Sequence, residues 1–181
     1  MKTVQFDIDG LLLFEPKRYA DDRGFFFESY NQSKYNELIG EEINFVQDNA
    51  SHSKKHVLRG LHFQTPPFAQ GKLVSVLKGC VLDVAVDLRK NSKTYGKHAL
   101  VELNDINGLQ FWIPPGFAHG FIALEEGTIF SYKCSNYYSP HHEQTLLWND
   151  NHLDVKWPIK NPIISKKDEI GLDFITFESP F

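Results

Sequence analysis

Apolar residues between Leu73 and Tyr132 recur in short runs, each stopped within a few positions by Gly, Pro or Asn. Runs of five to eight residues with this punctuation are too short for helices and have the right length for strands. They place strands over 73–77, 81–88, 98–103, 109–113, 120–124 and 128–132. Residues 81–88 alternate, with Leu82, Val84, Val86 and Leu88 on one face and Asp83, Ala85 and Asp87 on the other. That pattern predicts a half-buried strand. Together with 73–77 and the stop at Lys78-Gly79 it predicts a hairpin. One helix is expected over 31–39, where Tyr35, Leu38 and Ile39 share a face and Gly40 ends the run. Many short strands with frequent turns indicate an all-β sandwich or barrel with a few short helices. Pro158, Pro162 and Pro180 mark the C-terminal third as loops with short helical turns, and 169–181 as a tail.

The chain has 181 residues, 41% apolar and 23% charged, which suits one domain over 1–181 with a real core. A net charge of −4 gives no general field for nucleic acid, so an anionic ligand needs a local cluster of Arg and Lys. The opening residues are interrupted by charge and lack a signal-peptide core. The run Leu11-Leu12-Leu13-Phe14 is far too short to cross a bilayer. Cys80 and Cys134 have no metal-like spacing and read as two buried, reduced thiols. A cytoplasmic protein with no membrane partner is expected.

Two segments carry the chemistry. The first is Arg59-Gly60-Leu61-His62-Phe63-Gln64, followed by Lys72 and Gly79. The second is Gly108, five residues, then Pro114-Pro115-Gly116-Phe117-Ala118-His119. Their spacing resembles the two halves of a cupin, a jelly-roll barrel whose metal-binding members read H-x-H, Glu and Gly, then G-x5-P-x-G-x2-H. Here Gln64 stands where the second His would be and Lys72 where the Glu would be. An ammonium in place of an anionic ligand spoils a divalent site, so no metal is expected.

In that frame His62, His119, Arg59 and Lys72 share one concavity. A neutral imidazole among cations is suited to act as a base, and an inward Lys to stabilise an oxyanion. The base needs a carboxylate to fix its tautomer. Asp168 is one candidate, which the sequence does not single out from the other acids. Tyr132, Tyr137 and Tyr138 cluster after Phe130. A buried phenol can donate a proton and an exposed ring can stack on a base, while Tyr137 reads as aromatic packing. Arg23 precedes the run Phe25-Phe26-Phe27-Glu28 and suits a phosphate. Three adjacent Phe in a strand cannot all face one core, so a partner subunit or a ligand must cover at least one. His52, His56, His98, His141, His142 and His152 read as surface or turn residues.

The chain resembles the dTDP-4-dehydrorhamnose 3,5-epimerases, cupin-fold enzymes of dTDP-L-rhamnose synthesis. The resemblance runs from about Phe14-Glu15-Pro16 to Asp168. It includes Asp22-Arg23-Gly24-Phe25-Phe26-Phe27-Glu28, Phe45-Val46-Gln47-Asp48-Asn49, Val57 to His62, Gln70 to Val74, Asp83 to Asp87, Trp112 to Phe121 and Trp148-Asn149-Asp150. It implies that His62 is the proton-abstracting base, Asp168 its partner, Tyr132 the acid on the opposite face of the sugar and Lys72 the group at the enolate oxygen, near Arg59 and His119. It implies that Arg23, Phe26, Glu28, Gln47, Asp48, Asn49, Arg59, His119, Glu143 and Lys167 hold the dTDP-sugar and that Tyr138 stacks on thymine. It also implies a homodimer with exchanged N-terminal strands, no cofactor, and a product destined for polysaccharides such as an O-antigen.

Three rivals remain at this stage. A single-centre epimerase or 3,4-ketoisomerase would keep the fold and change the outcome. A non-catalytic sugar-nucleotide sensor would be expected to lack His62 or Tyr132. A metal-dependent oxygenase is disfavoured by Gln64 and Lys72.

Overall fold

The computed structural model describes residues 1–181. Its strands are β1 (Lys2–Gln5), β2 (Leu12–Glu15), β3 (Arg18–Asp21), β4 (Gly24–Phe27), β5 (Gln47–Ser53), β6 (Leu58–Gln64), β7 (Lys72–Lys78), β8 (Cys80–Asp87), β9 (His98–Asn104), β10 (Gln110–Ile113), β11 (Phe117–Ala123), β12 (Thr128–Cys134) and β13 (Glu143–Thr145). Two helices, α1 (Gln32–Ile39) and α2 (Lys166–Glu169), complete it. Six strands in the order β1-β2-β10-β7-β12-β5 form one sheet, and five in the order β13-β6-β11-β8-β9 form the other. The expected all-β jelly-roll barrel forms, and its two sheets enclose one core.

Val74, Val76, Val81, Ala85, Phe111, Phe121 and Phe130 belong to the apolar cluster between the sheets. Phe121 and Phe130 stack across it with centroids 4.1 Å apart. Each large side chain buried here contributes roughly 1.5–3 kcal/mol. Helix α1 covers the outer face of the six-stranded sheet. Asn31 caps it by accepting from the Lys34 N–H at 3.3 Å, and Gly40 ends it in the left-handed region at φ 84°. Tyr35, fully buried, meets Phe14 edge-on and binds Gln110 through its hydroxyl.

The predicted 73–77/81–88 hairpin does not form. β7 pairs with β10 and β12, whereas β8 pairs with β11 and β9. Only Gly79, at φ 82°, separates the two strands, and a hairpin needs a longer loop. The chain turns a corner there and changes sheets, so that Val76 and Val81 face the same core from opposite sides.

β8 is also buried on both faces rather than one. Asp83, Ala85 and Asp87 are fully buried, and so are Val84, Val86 and Leu88. The Val84 face is covered by Leu153 and Phe177 with Trp157 and Phe174, all from the C-terminal third. Residues 169–181 are therefore no loose tail. Ser179 is 1% exposed, its hydroxyl bonds the Leu88 carbonyl, and the Phe181 carbonyl accepts from the Lys90 N–H at 3.1 Å. Asp87 closes the same end by accepting from Arg89, Ser92 and Thr94.

Two glycines let β6 and β11 approach at a register shift between His119 and Phe121. A Cβ on Gly60, at φ 128°, would lie 2.5 Å from Gly120 Cα, and one on Gly120 would lie 2.8 Å from the Arg59 carbonyl oxygen. Below this contact His62 and His119 stand opposite each other on neighbouring strands. Gly60→Ala should therefore cost about 3 kcal/mol or more, through overpacking against backbone and a disfavoured φ. Thermal unfolding should show a clearly lowered midpoint, or soluble yield should collapse. An unchanged midpoint would mean that the two strands can separate freely.

Candidate active site

Strand parity decides which side chains enter the barrel. On β5, Gln47, Asn49 and Ser51 point inward, on β7 Lys72, on β11 His119 and Phe121, and on β12 Phe130, Tyr132 and Cys134. They line two connected cavities. The first, of about 400 Å³, is bounded by Arg59, His62, Lys72, His119, Tyr132, Ser165, Lys167 and Asp168 over an apolar floor that includes Phe121 and Phe130. The second, of about 340 Å³, is bounded by Gln47, Asn49, Gln70, Cys134, Tyr138 and Glu143. His62, Lys72 and Tyr132 line both.

His62 Nε2 lies 2.5 Å from Asp168 Oδ1. Asp168 is 3% exposed and comes from α2. Burial alone would raise its pKa. The hydrogen bond and charge of His62, then Ser165 and Lys167, outweigh that and hold it below the ordinary carboxylate value. The contact fixes a proton on Nε2 and leaves Nδ1 as the basic nitrogen. Behind it lies a second, fully internal pair. His119 Nε2 is 2.9 Å from Asp83 Oδ2 and 3.1 Å from Oδ1. Burial lowers the His119 pKa against the opposing pull of Asp83, which keeps its ring neutral.

Lys72 makes no hydrogen bond or ion pair with any protein group. Burial lowers its pKa, and Cys134, Asp83 and Glu143 oppose the shift. The Tyr132 hydroxyl likewise has no protein partner. Burial raises its pKa, helped by Cys134 and Glu143, so the phenol is protonated at neutral pH. An imidazole, a phenol and an ammonium thus face one space.

At the rim Arg59 Nε donates to Ser53 Oγ at 3.2 Å. Gln47 Nε2 donates to Asn49 Oδ1 at 3.0 Å, and the Tyr138 N–H donates to Gln47 Oε1 at 2.9 Å. The Tyr138 hydroxyl reaches Glu143 Oε2 at 2.7 Å, and Glu143 also pairs with Lys167. Burial would raise the Glu143 pKa, but Lys167 and Tyr138 outweigh it and lower it.

Four of the expected residues lie elsewhere. Asp48 has the opposite parity to Gln47 and Asn49, is turned outward, and pairs with Lys133 at 2.9 Å. Arg23, Phe26 and Glu28 sit on or beside the separate β3–β4 ribbon and line neither cavity. Arg23 pairs with Asp21, Glu28 with Lys34, and Phe26 is 70% exposed. Tyr137, expected to pack, is 62% exposed. The other six histidines are exposed or half-buried, and both cysteines are buried and free.

Asp83 and Ser165 were missed as site groups. Asp83 has the inward parity of β8 and lies diagonal to His119, since its register partner is Phe121 and Ala85 stands opposite His119. Ser165 was legible as the start of a Ser-x-x-Asp cap.

The four cupin ligand positions are engaged in other contacts or carry the wrong charge for a metal. Both histidines are bound to carboxylates through Nε2 and Lys72 is a cation. Gln64 spends its amide on the Phe68 and Tyr137 carbonyls and the Ser139 N–H. Asp150, His152 and Asp173 also cluster. There the Asp150 carboxylate is taken by the N–H groups of His152, Leu153 and Phe174, so it anchors loops.

The family model for dTDP-4-dehydrorhamnose 3,5-epimerase matches residues 5–175. The chain belongs to the dTDP-4-dehydrorhamnose 3,5-epimerase family. It is 53% identical over 169 residues to the dTDP-4-dehydrorhamnose 3,5-epimerase of Salmonella typhimurium LT2, covering 93% of this chain and 92% of that one. It is 49% identical to the Shigella flexneri enzyme, covering 97% of each. A solved dTDP-6-deoxy-D-glucose-3,5-epimerase from Legionella pneumophila, in complex with dTDP-4-keto-L-rhamnose, superposes with a TM-score of 0.94 at 46% identity, covering 98% of this chain and 94% of that one. The activity is that of a dTDP-4-dehydrorhamnose 3,5-epimerase, an isomerase of the dTDP-rhamnose pathway, and the single-centre alternative is not favoured. No helix is long and apolar enough to cross a membrane.

Because the folded Asp168 pKa lies below the unfolded value near 3.8, its stabilisation is present above that pH and is lost as pH falls through the folded value. Asp168→Asn should be less stable than the native chain at pH 7 by on the order of 2–3 kcal/mol. Urea titrations at pH 7, 5, 3 and 2 should show the gap constant down to about pH 4 and closing below it. A gap that persists undiminished at pH 2 would contradict the ionised dyad.

Proposed function

We propose that His62, Lys72, Tyr132 and Asp168 carry the double epimerisation of dTDP-4-dehydro-6-deoxy-D-glucose to dTDP-4-dehydro-L-rhamnose. The observation that carries this reading is the convergence of His62, Lys72 and Tyr132 as the shared lining of both cavities. The C4 ketone acidifies the hydrogens on C3 and C5. His62 Nδ1 removes one of these protons, and the C–H electrons move through the carbon framework onto the C4 oxygen. Lys72 stabilises that enolate, an effect worth about 3–4 kcal/mol for one well-placed donor. Tyr132 then returns a proton to the opposite face of the carbon, and the carbonyl re-forms. Solvent takes the imidazolium proton and restores the phenol before the second centre reacts. Asp168 holds the imidazole through both cycles.

Gln47, Asn49, Tyr138 and Glu143 hold the nucleoside end, with Tyr138 against the base. Arg59 and Lys167 supply charge for the diphosphate, and His119 backs the sugar. The dTDP-4-keto-L-rhamnose in the Legionella relative supports this class of ligand. No metal or redox cofactor enters the scheme, and the enzyme works in the cytoplasm without nucleic-acid or membrane partners. A mixture of the protein, the 4-keto substrate, a 4-reductase, NADPH and excess chelator should oxidise NADPH. The absence of oxidation would refute the assignment.

The active form is a homodimer. Phe25, Phe26 and Tyr19 are more than half exposed, and a two-stranded ribbon is marginal alone. A second copy covers this ribbon and receives Arg23, Phe26 and Glu28 at its own site. Two inactive variants, Arg23→Ala and His62→Ala, should then regain activity when their subunits are exchanged, because one site per heterodimer is whole. Confirmed exchange without activity would contradict the shared site.

His62→Ala should abolish both inversion and exchange of the C3 and C5 hydrogens with D₂O. Tyr132→Phe keeps the ring and removes the donor. The enolate should still form and take deuterium on its original face, while inversion falls on the order of 10²–10⁴-fold. NMR of the sugar reads exchange and configuration separately. Inversion at the native rate in Tyr132→Phe would mean that another group is the acid.

A further inference from the structure

The contact that orients His62 is itself held by a residue with no assigned role. Asp168 Oδ1 faces His62 at 2.5 Å, and its other oxygen, Oδ2, accepts from the Ser165 hydroxyl at 3.0 Å. The same hydroxyl accepts from the Asp168 N–H at 3.2 Å. With Asp168 almost fully buried, His62 and Ser165 are the only side chains that bond its carboxylate. Ser165 is placed by the strand that carries the base. Val57 forms a parallel bridge with Ile163, the Leu58 N–H donates to the Ile163 carbonyl at 2.9 Å, and the Ile163 N–H donates to the His56 carbonyl at 2.8 Å. A closed loop therefore runs from the start of β6 to Ile163, Ser165, Asp168, His62 and back to β6.

We infer that Ser165 is a positioning residue that fixes the rotamer of Asp168 and keeps its carboxylate ionised, and so sets the orientation of His62. The inference rests on the proposed role of His62 as the base. With the Ser165 hydroxyl gone, Asp168 has one hydrogen bond fewer to its ionised form. One of the interactions that lower its pKa is then lost, so the orienting carboxylate becomes protonated at a higher pH. The other groups facing the dyad are Arg59 on β6, Lys72 on β7, His119 on β11 with Asp83 on β8, Tyr132 on β12, Glu143 on β13 and Lys167 on α2. All of them stay in place in the variants below.

Three substitutions separate the hydroxyl from the helix cap. Ser165→Gly keeps most of the capping and loses the hydroxyl, Ser165→Thr keeps both, and Ser165→Ala loses both. In Ser165→Gly and Ser165→Ala, kcat should fall roughly 10- to 100-fold, the cost of a loosened catalytic geometry. The acid limb of the kcat/KM profile should move upward by roughly half a pH unit or more. The Kd for dTDP should stay within about twofold, since the nucleotide contacts are elsewhere. The downfield proton resonance of His62 Nε2–H should shift or broaden. Ser165→Thr should restore the native rate and profile. A native kcat and pH profile in Ser165→Gly would overturn the inference, and so would an equal loss in Ser165→Thr, which would indicate crowding. Either result leaves the assignment of His62 standing, because that depends on the native enzyme and on His62→Ala.

Discussion

An ammonium held inside the barrel without a counter-ion is the constraint around which the site is arranged. Lys72 opens β7 on the inward parity, and Gly71 before it is pressed against Trp112, where a Cβ would lie 2.4 Å from the ring. The strand start is therefore fixed, and the ammonium is held half-buried at the wall of both cavities. Burial lowers the Lys72 pKa, and the nearest carboxylates are engaged elsewhere. Asp83 gives both oxygens to His119, and Glu143 is committed to Tyr138 and Lys167. The ammonium is therefore free to meet an anion that enters the cavity. In the proposed reaction the enolate oxygen is that anion, and the ammonium is already placed to stabilise it.

The same burial separates the protonation states that the chemistry needs. It raises the Tyr132 pKa, so the acid keeps its proton at neutral pH. It lowers the His119 pKa, so a second positive charge does not form beside Lys72. At Asp168 burial acts in the opposite sense to function and is overcome by two hydrogen bonds and a neighbouring cation. One cavity thus holds a protonated phenol beside an ionised carboxylate that orients an imidazole, which is the arrangement the proposed proton transfer between opposite faces of a ring requires.

The sequence revealed the strands that alternate and the helix that carries its own cap, because those signals are local. It misjudged features that depend on what lies across a gap. The Lys78-Gly79 stop was legible as a turn, yet only the sheet assignment of β8 makes it a corner rather than a hairpin. The alternation in β8 was read correctly residue by residue. Its exposure was not, because the cover over Val84 and Val86 comes from Leu153 and Phe177, far along the chain and without periodicity. Motif spacing brought His62, Lys72 and His119 together, and the family resemblance added Tyr132 and Asp168. Neither separated Asp48 from its neighbours Gln47 and Asn49, although the two-residue period of β5 turns Asp48 to the outside. Asp83 appeared in a quoted motif but was not recognised as the partner of His119, since that requires the register of β8 against β11.

The C-terminal third links stability to catalysis. Between Leu153 and Phe181 the chain covers the outer face of the five-stranded sheet, and in passing it delivers Ser165, Lys167 and Asp168 to the mouth of the barrel. It is stitched on at both sides of that delivery, by Ile163 to the start of β6 and by Leu172 to Thr145 and Leu147 beside β13. Both anchors involve strands of the same sheet, neighbours that pair at Thr145 and His62. His62 and Asp168 are therefore held by one sheet and the segment stitched to it, although they are separated by 106 residues. A loosened cover would move Asp168 away from His62 while leaving every cavity side chain on the strands in place. On the proposed role of His62, the apolar packing of a surface remote from the cavity is in this sense part of the geometry of proton transfer.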